Sequence, residues 1–162
     1  MIMRRGEKFV LALIGIFLFV GVVRSLLHVE EKHDREIPFY STASSDVART
    51  AMDVYRNNGC KNCHTLWTLQ DMSQSVPAPM LDGLGSLRSE TWFYDYLSSS
   101  NPQAVLPSRL KKEYQMPSYA GLSENDRHLL AQYLASLKVK DWYLEQTKKA
   151  EYEKLTGLEY QK

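Results

Sequence analysis

The 162 residues predict an all-α domain of three to four helices gathered around a common centre, with an N-terminal transmembrane helix before it and a charged helical extension after it. Three observations carry this. Apolar residues recur at helical spacing in three separate stretches between Ser45 and Leu137, and nothing around Cys60 alternates as a strand would. The pentad Cys60-Lys61-Asn62-Cys63-His64 sits directly after the first of these stretches. An uncharged apolar run, Phe9 to Val23, follows Arg4, Arg5 and Lys8.

The pentad is the most specific signal. Two cysteines separated by two residues, with histidine next, form the attachment sequence for a c-type haem. Two thiols add to the two vinyl groups of the macrocycle, and the adjacent imidazole reaches the iron as proximal ligand. A redox dithiol shares the C-x-x-C spacing but sits beside a βαβ pattern, which is missing around Cys60. A structural zinc site needs four ligands, and Cys60 and Cys63 are the only cysteines in the chain. The expected cofactor is therefore one covalently bound haem c with its iron. With both thiols so used, no disulfide is available. A net charge of +1 lacks the basic excess of a nucleic-acid binder.

Residues 1–28 read as a membrane anchor. Fifteen residues at 1.5 Å each span roughly 22 Å, short of a hydrocarbon core of about 30 Å. Extending the helix to Leu27, with Arg24 snorkelling to the headgroups, closes most of the gap. A cleaved secretory signal would look similar, but the flank Arg24-Ser25-Leu26-Leu27-His28 offers no A-x-A-like site. The basic cluster should stay cytoplasmic, placing the rest of the chain outside. Haem of this type is also attached outside the cytoplasm, so the two signals agree on a bacterial inner-membrane protein, single-pass, with a periplasmic domain. Residues 29–44 are polar and broken by Pro38, and are expected to be a linker. His28 and His33 fall in this region and are expected to be solvated.

The haem domain is expected over residues 45–138. Ser45 or Asp46 can cap its first helix, and Val47, Ala51, Val54 and Tyr55 give that helix one apolar face. Asn57, Asn58 and Gly59 end it. Residues 65–88 are irregular, with Pro77, Pro79, Gly83 and Gly85, and such a long loop needs an object to wrap. Leu66, Trp67, Leu69, Leu81 and Leu84 are the expected haem lining. A second helix spans Glu90 to Ser98 with Ser89 as cap, and the segment from there to Gln115 is expected to be irregular. Ser123 and the acids after it open the last domain helix. Its buried stripe is Leu122, Leu129, Leu130, Tyr133, Leu134 and Leu137, with His128 off the stripe and solvated. Residues 139–162 are charged and aromatic. They read as a partly exposed helix with a weak apolar face or as a frayed tail, with Glu145 and Lys149 spaced for an ion pair.

His64 would leave the other side of the iron to a second ligand. Met72 is close to the pentad in sequence, and Met80 lies inside the Pro79-Met80-Leu81 stretch. Met116 lies far along the chain and is followed by Pro117, which holds the backbone before it extended. Met116 is thus the expected distal ligand, a soft thioether that favours reduced iron. An open sixth position is the alternative.

The order helix, C-x-x-C-H, Pro-x-Leu-x-Gly, helix, Met-Pro, helix over residues 45–138 resembles the class I cytochromes c. The resemblance implies that the Pro79 carbonyl orients the His64 ring, and that Arg88, with Arg109 as a weaker match, meets a haem propionate. On its layout, and on Ala78-Pro79-Met80-Leu81, Asn101-Pro102, Val105-Leu106-Pro107 and Met116-Pro117-Ser118-Tyr119, the chain is also similar to two membrane-anchored mono-haem subunits. These are the cytochrome c subunit of nitric oxide reductase and the mono-haem subunit of the C-family haem–copper oxidases. Residues Ser108 to Gln115 depart from the compact spacing of the latter.

The expected function is single-electron transfer, not catalysis, within a respiratory complex. Its partners would be membrane-embedded redox subunits and an electron donor in a hetero-oligomer. A tethered carrier moving between complexes is the nearest alternative. A haem sensor or peroxidase-like enzyme would need an open sixth position.

Overall fold

A computed structural model describes residues 5–30, 36–67 and 78–161. It divides into two compact units, Met1–Ile37 and Pro38–Lys162. In the first, α1 (Arg5–Glu30) is a single 26-residue helix. Every side chain described from Val10 to Val23 is exposed, with Phe17 and Phe19 among the most so. Among the described residues, no helix is long and apolar enough to cross a membrane. The transmembrane reading of residues 1–28 therefore gains no support from the structure itself. His33 and the side chain of His28 lie outside what is described.

The second unit is mostly helical, with one departure from the all-α expectation. Strand β1 (Phe39–Ser41) pairs antiparallel with β2 (Leu137–Val139) in the register Phe39↔Val139, Tyr40↔Lys138, Ser41↔Leu137. Phe39–Ser41 was expected to be linker. Three residues are too few to show a period, and the pairing partner lies almost a hundred residues away. Ser41 Oγ and Ser136 Oγ, 2.9 Å apart, and the bond from Thr42 N–H to the Ser136 carbonyl at 3.0 Å extend the ribbon.

Helix α2 (Ser45–Asn57) is capped by Ser44, one residue earlier than expected. The Ser44 hydroxyl accepts from the Val47 N–H, leaving Ser45 inside the first turn. Its inward face buries Ala51 and Tyr55. Helix α3 (Glu90–Ser98) starts from the Ser89 cap and buries Phe93 and Leu97. The segment after it contains a one-turn helix, α4 (Pro102–Val105), with Pro102 buried at its start, where a missing N–H costs nothing. Helix α5 (Glu124–Ser136) is capped by Ser123 and packs against both α2 and α3. Leu130, Ala131, Tyr133, Leu134 and Leu137 join Ala51, Tyr55, Leu66, Phe93 and Leu97 in the core. His128 is exposed as expected, stacked on Tyr94 with ring centroids 4.0 Å apart.

The C-terminal stretch is an ordered helix, α6 (Asp141–Thr156), ending at Gly157 in the left-handed region with φ of 70°. The expected Glu145–Lys149 pair is not made. Glu145 pairs with Lys148 at 2.6 Å, and Lys149 reaches Glu153 at 3.8 Å instead. Spacings of i,i+3 and i,i+4 compete on an exposed face, and either satisfies the charges.

Candidate functional site: a cavity lined by both cysteines, His64 and Met116

The site begins where α2 ends. Gly59 takes φ of +73°, a conformation that side chains other than glycine's rarely adopt, and turns the chain into a 3₁₀ turn over Cys60–Asn62. The N–H of His64 bonds to the Cys60 carbonyl at 2.9 Å, so pentad and turn form one unit. Tyr55, in the core, donates its hydroxyl to the His64 carbonyl at 2.8 Å. Both cysteines are half-buried and form no disulfide with each other. Burial pushes the Cys60 thiol above its ordinary pKa, while a hydrogen bond from Tyr119 opposes the shift.

The His64 ring is fixed through one nitrogen. Its Nδ1 lies 2.9 Å from the Pro79 carbonyl oxygen. A carbonyl only accepts, so Nδ1 carries the hydrogen, and in the neutral ring the Nε2 lone pair is free to bind a metal. Burial holds the imidazole below its ordinary pKa; the Pro79 bond opposes that, and the charge of Lys154 adds to it. The loop bearing Pro79 is pinned on its other side. Leu81 N–H bonds to the Thr65 carbonyl at 3.0 Å, and the Asp82 carboxylate accepts the Trp67 N–H at 2.7 Å.

Met116 comes from a segment secured at both ends. Gln103 donates from Nε2 to the Met116 carbonyl at 3.3 Å, and Ser118 donates its hydroxyl to the Ser99 carbonyl at 2.8 Å. One cavity is lined by Cys60, Cys63, His64, Pro79 and Met116, with Leu81, Leu84, Phe93, Leu97, Leu130 and Leu134 giving it apolar walls. Arg88 and Arg109 also line it. Arg88 sits over the Trp92 ring and pairs with Glu151 at 3.1 Å.

Two expected lining residues are placed elsewhere. Trp67 is 45% exposed and packs beside Phe39, which in turn meets Tyr143 edge-on, so it belongs to a surface cluster. Leu66 is in the core but not in the cavity wall. Met80 is 39% exposed and does not line the cavity. Leu69 and Met72 lie outside the described residues. Among the described residues of the 65–88 segment is a 3₁₀ turn, Leu84–Ser86, in which Gly85 lies hard against the backbone of α5.

Sequence reasoning missed several lining residues. Ser108, Leu110, Tyr114 and Gln115 belong to the insertion before Met116, which turns inward to the cavity. Glu151, Lys154 and Leu155 come from α6. With Thr147, which is buried, they follow i, i+4, i+7, i+8 spacing and share one face. That face is mostly polar, so a search for apolar stripes passes over it.

The residues fit a covalent haem: two thiols, an imidazole with a free nitrogen, a thioether from a distant segment, and apolar walls around them. Such a site, at the end of a helix in a small helical domain, defines a haem-binding electron-transfer domain. A family model described as cytochrome c matches residues 48–138. The chain belongs to that family: it carries covalently bound haem c with its iron and works in electron transfer. No curated protein and no solved structure matches it.

Proposed function

We propose that this is a membrane-anchored mono-haem cytochrome c, passing single electrons as a subunit of a respiratory redox complex. Cys60 and Cys63 would hold the haem covalently, and His64 and Met116 would ligate its iron. The observation that carries this reading is the bond from His64 Nδ1 to the Pro79 carbonyl, which turns Nε2 towards ligation in the cavity that Met116 also lines. The haem supplies one-electron exchange at its iron. The chain contributes the rest. Pro79 fixes the imidazole, the apolar walls exclude water, and a thioether favours the reduced state. Arg88 and Arg109, both in the cavity wall, would meet the propionates.

Anchoring rests on the uncharged run Phe9 to Val23 and on the exposure of every apolar side chain described within it. A patch that large on a monomer marks a contact with lipid or with another protein. Arg4, Arg5 and Lys8 before it favour a cytoplasmic N-terminus and a haem domain on the periplasmic side of the inner membrane. The partners proposed are membrane-embedded redox subunits and an electron donor. Membranes solubilised in mild detergent should yield the haem-bearing chain co-migrating with other redox subunits. A haem-bearing chain found wholly in the soluble fraction would remove both the anchor and the complex.

A further inference from the structure

Helix α6 lies beyond the residues that match the family, yet it meets the haem cavity at three points. Glu151 pairs with Arg88. Gly157, with its positive φ, packs so closely under the Arg109 guanidinium that any side chain there would collide with it. Lys154 Nζ donates to the Ala78 carbonyl at 2.9 Å.

From the last contact we infer that Lys154 is a positioning residue for His64, a proposal that rests on His64 being the haem ligand. The relay is short and stiff. Holding the Ala78 carbonyl fixes the plane of the Ala78–Pro79 peptide. The Pro79 ring then locks φ, leaving a single soft torsion, ψ of Pro79, between that plane and the Pro79 carbonyl. That carbonyl is the one that receives the His64 Nδ1–H. Lys154 thus stands one rotatable bond from the group that sets the plane of the imidazole. The Lys154 contact at Ala78 and the Leu81–Thr65 bond hold Pro79 from both sides in sequence.

The experiment uses the full-length, haem-loaded protein in detergent, in its oxidised form, and reads the haem-methyl resonances shifted by the unpaired electron. Their order and spread depend on the orientation of the axial imidazole plane. Lys154→Met should change that pattern, and Lys154→Arg, which keeps a donor and a charge, should restore it. Lys148→Met, on an exposed part of the same helix, should leave it as in the wild type. If Lys154→Met keeps the wild-type pattern while the shifted His64 ring protons are present in both proteins, the relay is wrong, even if the thermal midpoint falls. If the wild type itself shows no shifted His64 ring protons, the ligand assignment fails, and the relay with it.

Discussion

Arg88 and Glu151 face each other at 3.1 Å in the cavity wall, one from the haem domain and one from the helix that follows it. Their side chains are only 27% and 17% exposed. The arginine expected to meet a propionate is thus already held by a carboxylate of the extension. Burial raises the Glu151 pKa, and the Arg88 charge works against that rise.

Glu151→Gln should leave the Arg88 charge uncompensated beside the haem and raise its reduction potential. A nearby cation disfavours the oxidised form, which carries the extra positive charge. One partly screened charge is worth on the order of 1 kcal/mol, roughly 40 mV for one electron. A spectroelectrochemical titration measures it, and an unchanged or lowered potential would show that the pair does not act on the haem.

Asp82 gives a pH-dependent test. It is buried at 8% exposure, and desolvation raises its pKa, while the N–H of Trp67 and its own N–H act to lower it. The folded chain therefore keeps this proton to higher pH than the unfolded chain, whose carboxyl titrates near about 3.9. Between the two values the folded state binds more protons, so its stability falls as pH rises through that window. Asp82→Asn removes this component. Denaturant unfolding at a series of pH values should show the variant gaining on the wild type as pH rises above about 4. A stability difference that stays constant with pH would mean that Asp82 titrates normally.

Gly85 tests the packing under the cavity. A β-carbon at this position would run into the backbone carbonyls of Ala135 and Leu134, which cannot swing aside as a side chain can. Gly85→Ala should cost about 1–3 kcal/mol or more in unfolding free energy. Gly121→Ala meets nothing within 4 Å and serves as the control. Equal effects of the two changes in a thermal or denaturant melt would refute the close approach.

The chemistry of the site was legible because its residues are rare and fixed in spacing. The pentad, Pro79 and Met116 could be picked from the sequence, and the structure brings them to one cavity. The three domain helices were legible because apolar spacing marks each one, and Ser89 and Ser123 cap two of them where expected. What escaped depends on tertiary contact. Trp67 has the size and apolarity of a lining residue, but the Phe39 ring, brought close by the β1–β2 pairing, draws it outward. Glu151 and Lys154 look like ordinary solvated charges until α6 folds back onto the loop and Arg88.

If His64 and Met116 both ligate the iron, as proposed, the reduced protein resists carbon monoxide, and a binding measurement decides the point. A six-coordinate iron has no free position, and sulfur must leave before an exogenous ligand binds. The reduced wild type should therefore bind carbon monoxide slowly or not at all. Met116→Ala should bind it readily and have a lower potential, whereas Met80→Ala, at an exposed residue outside the cavity wall, should behave as the wild type. Rapid, stoichiometric binding by the unmodified protein would show that Met116 does not ligate the iron and that the haem has an open site.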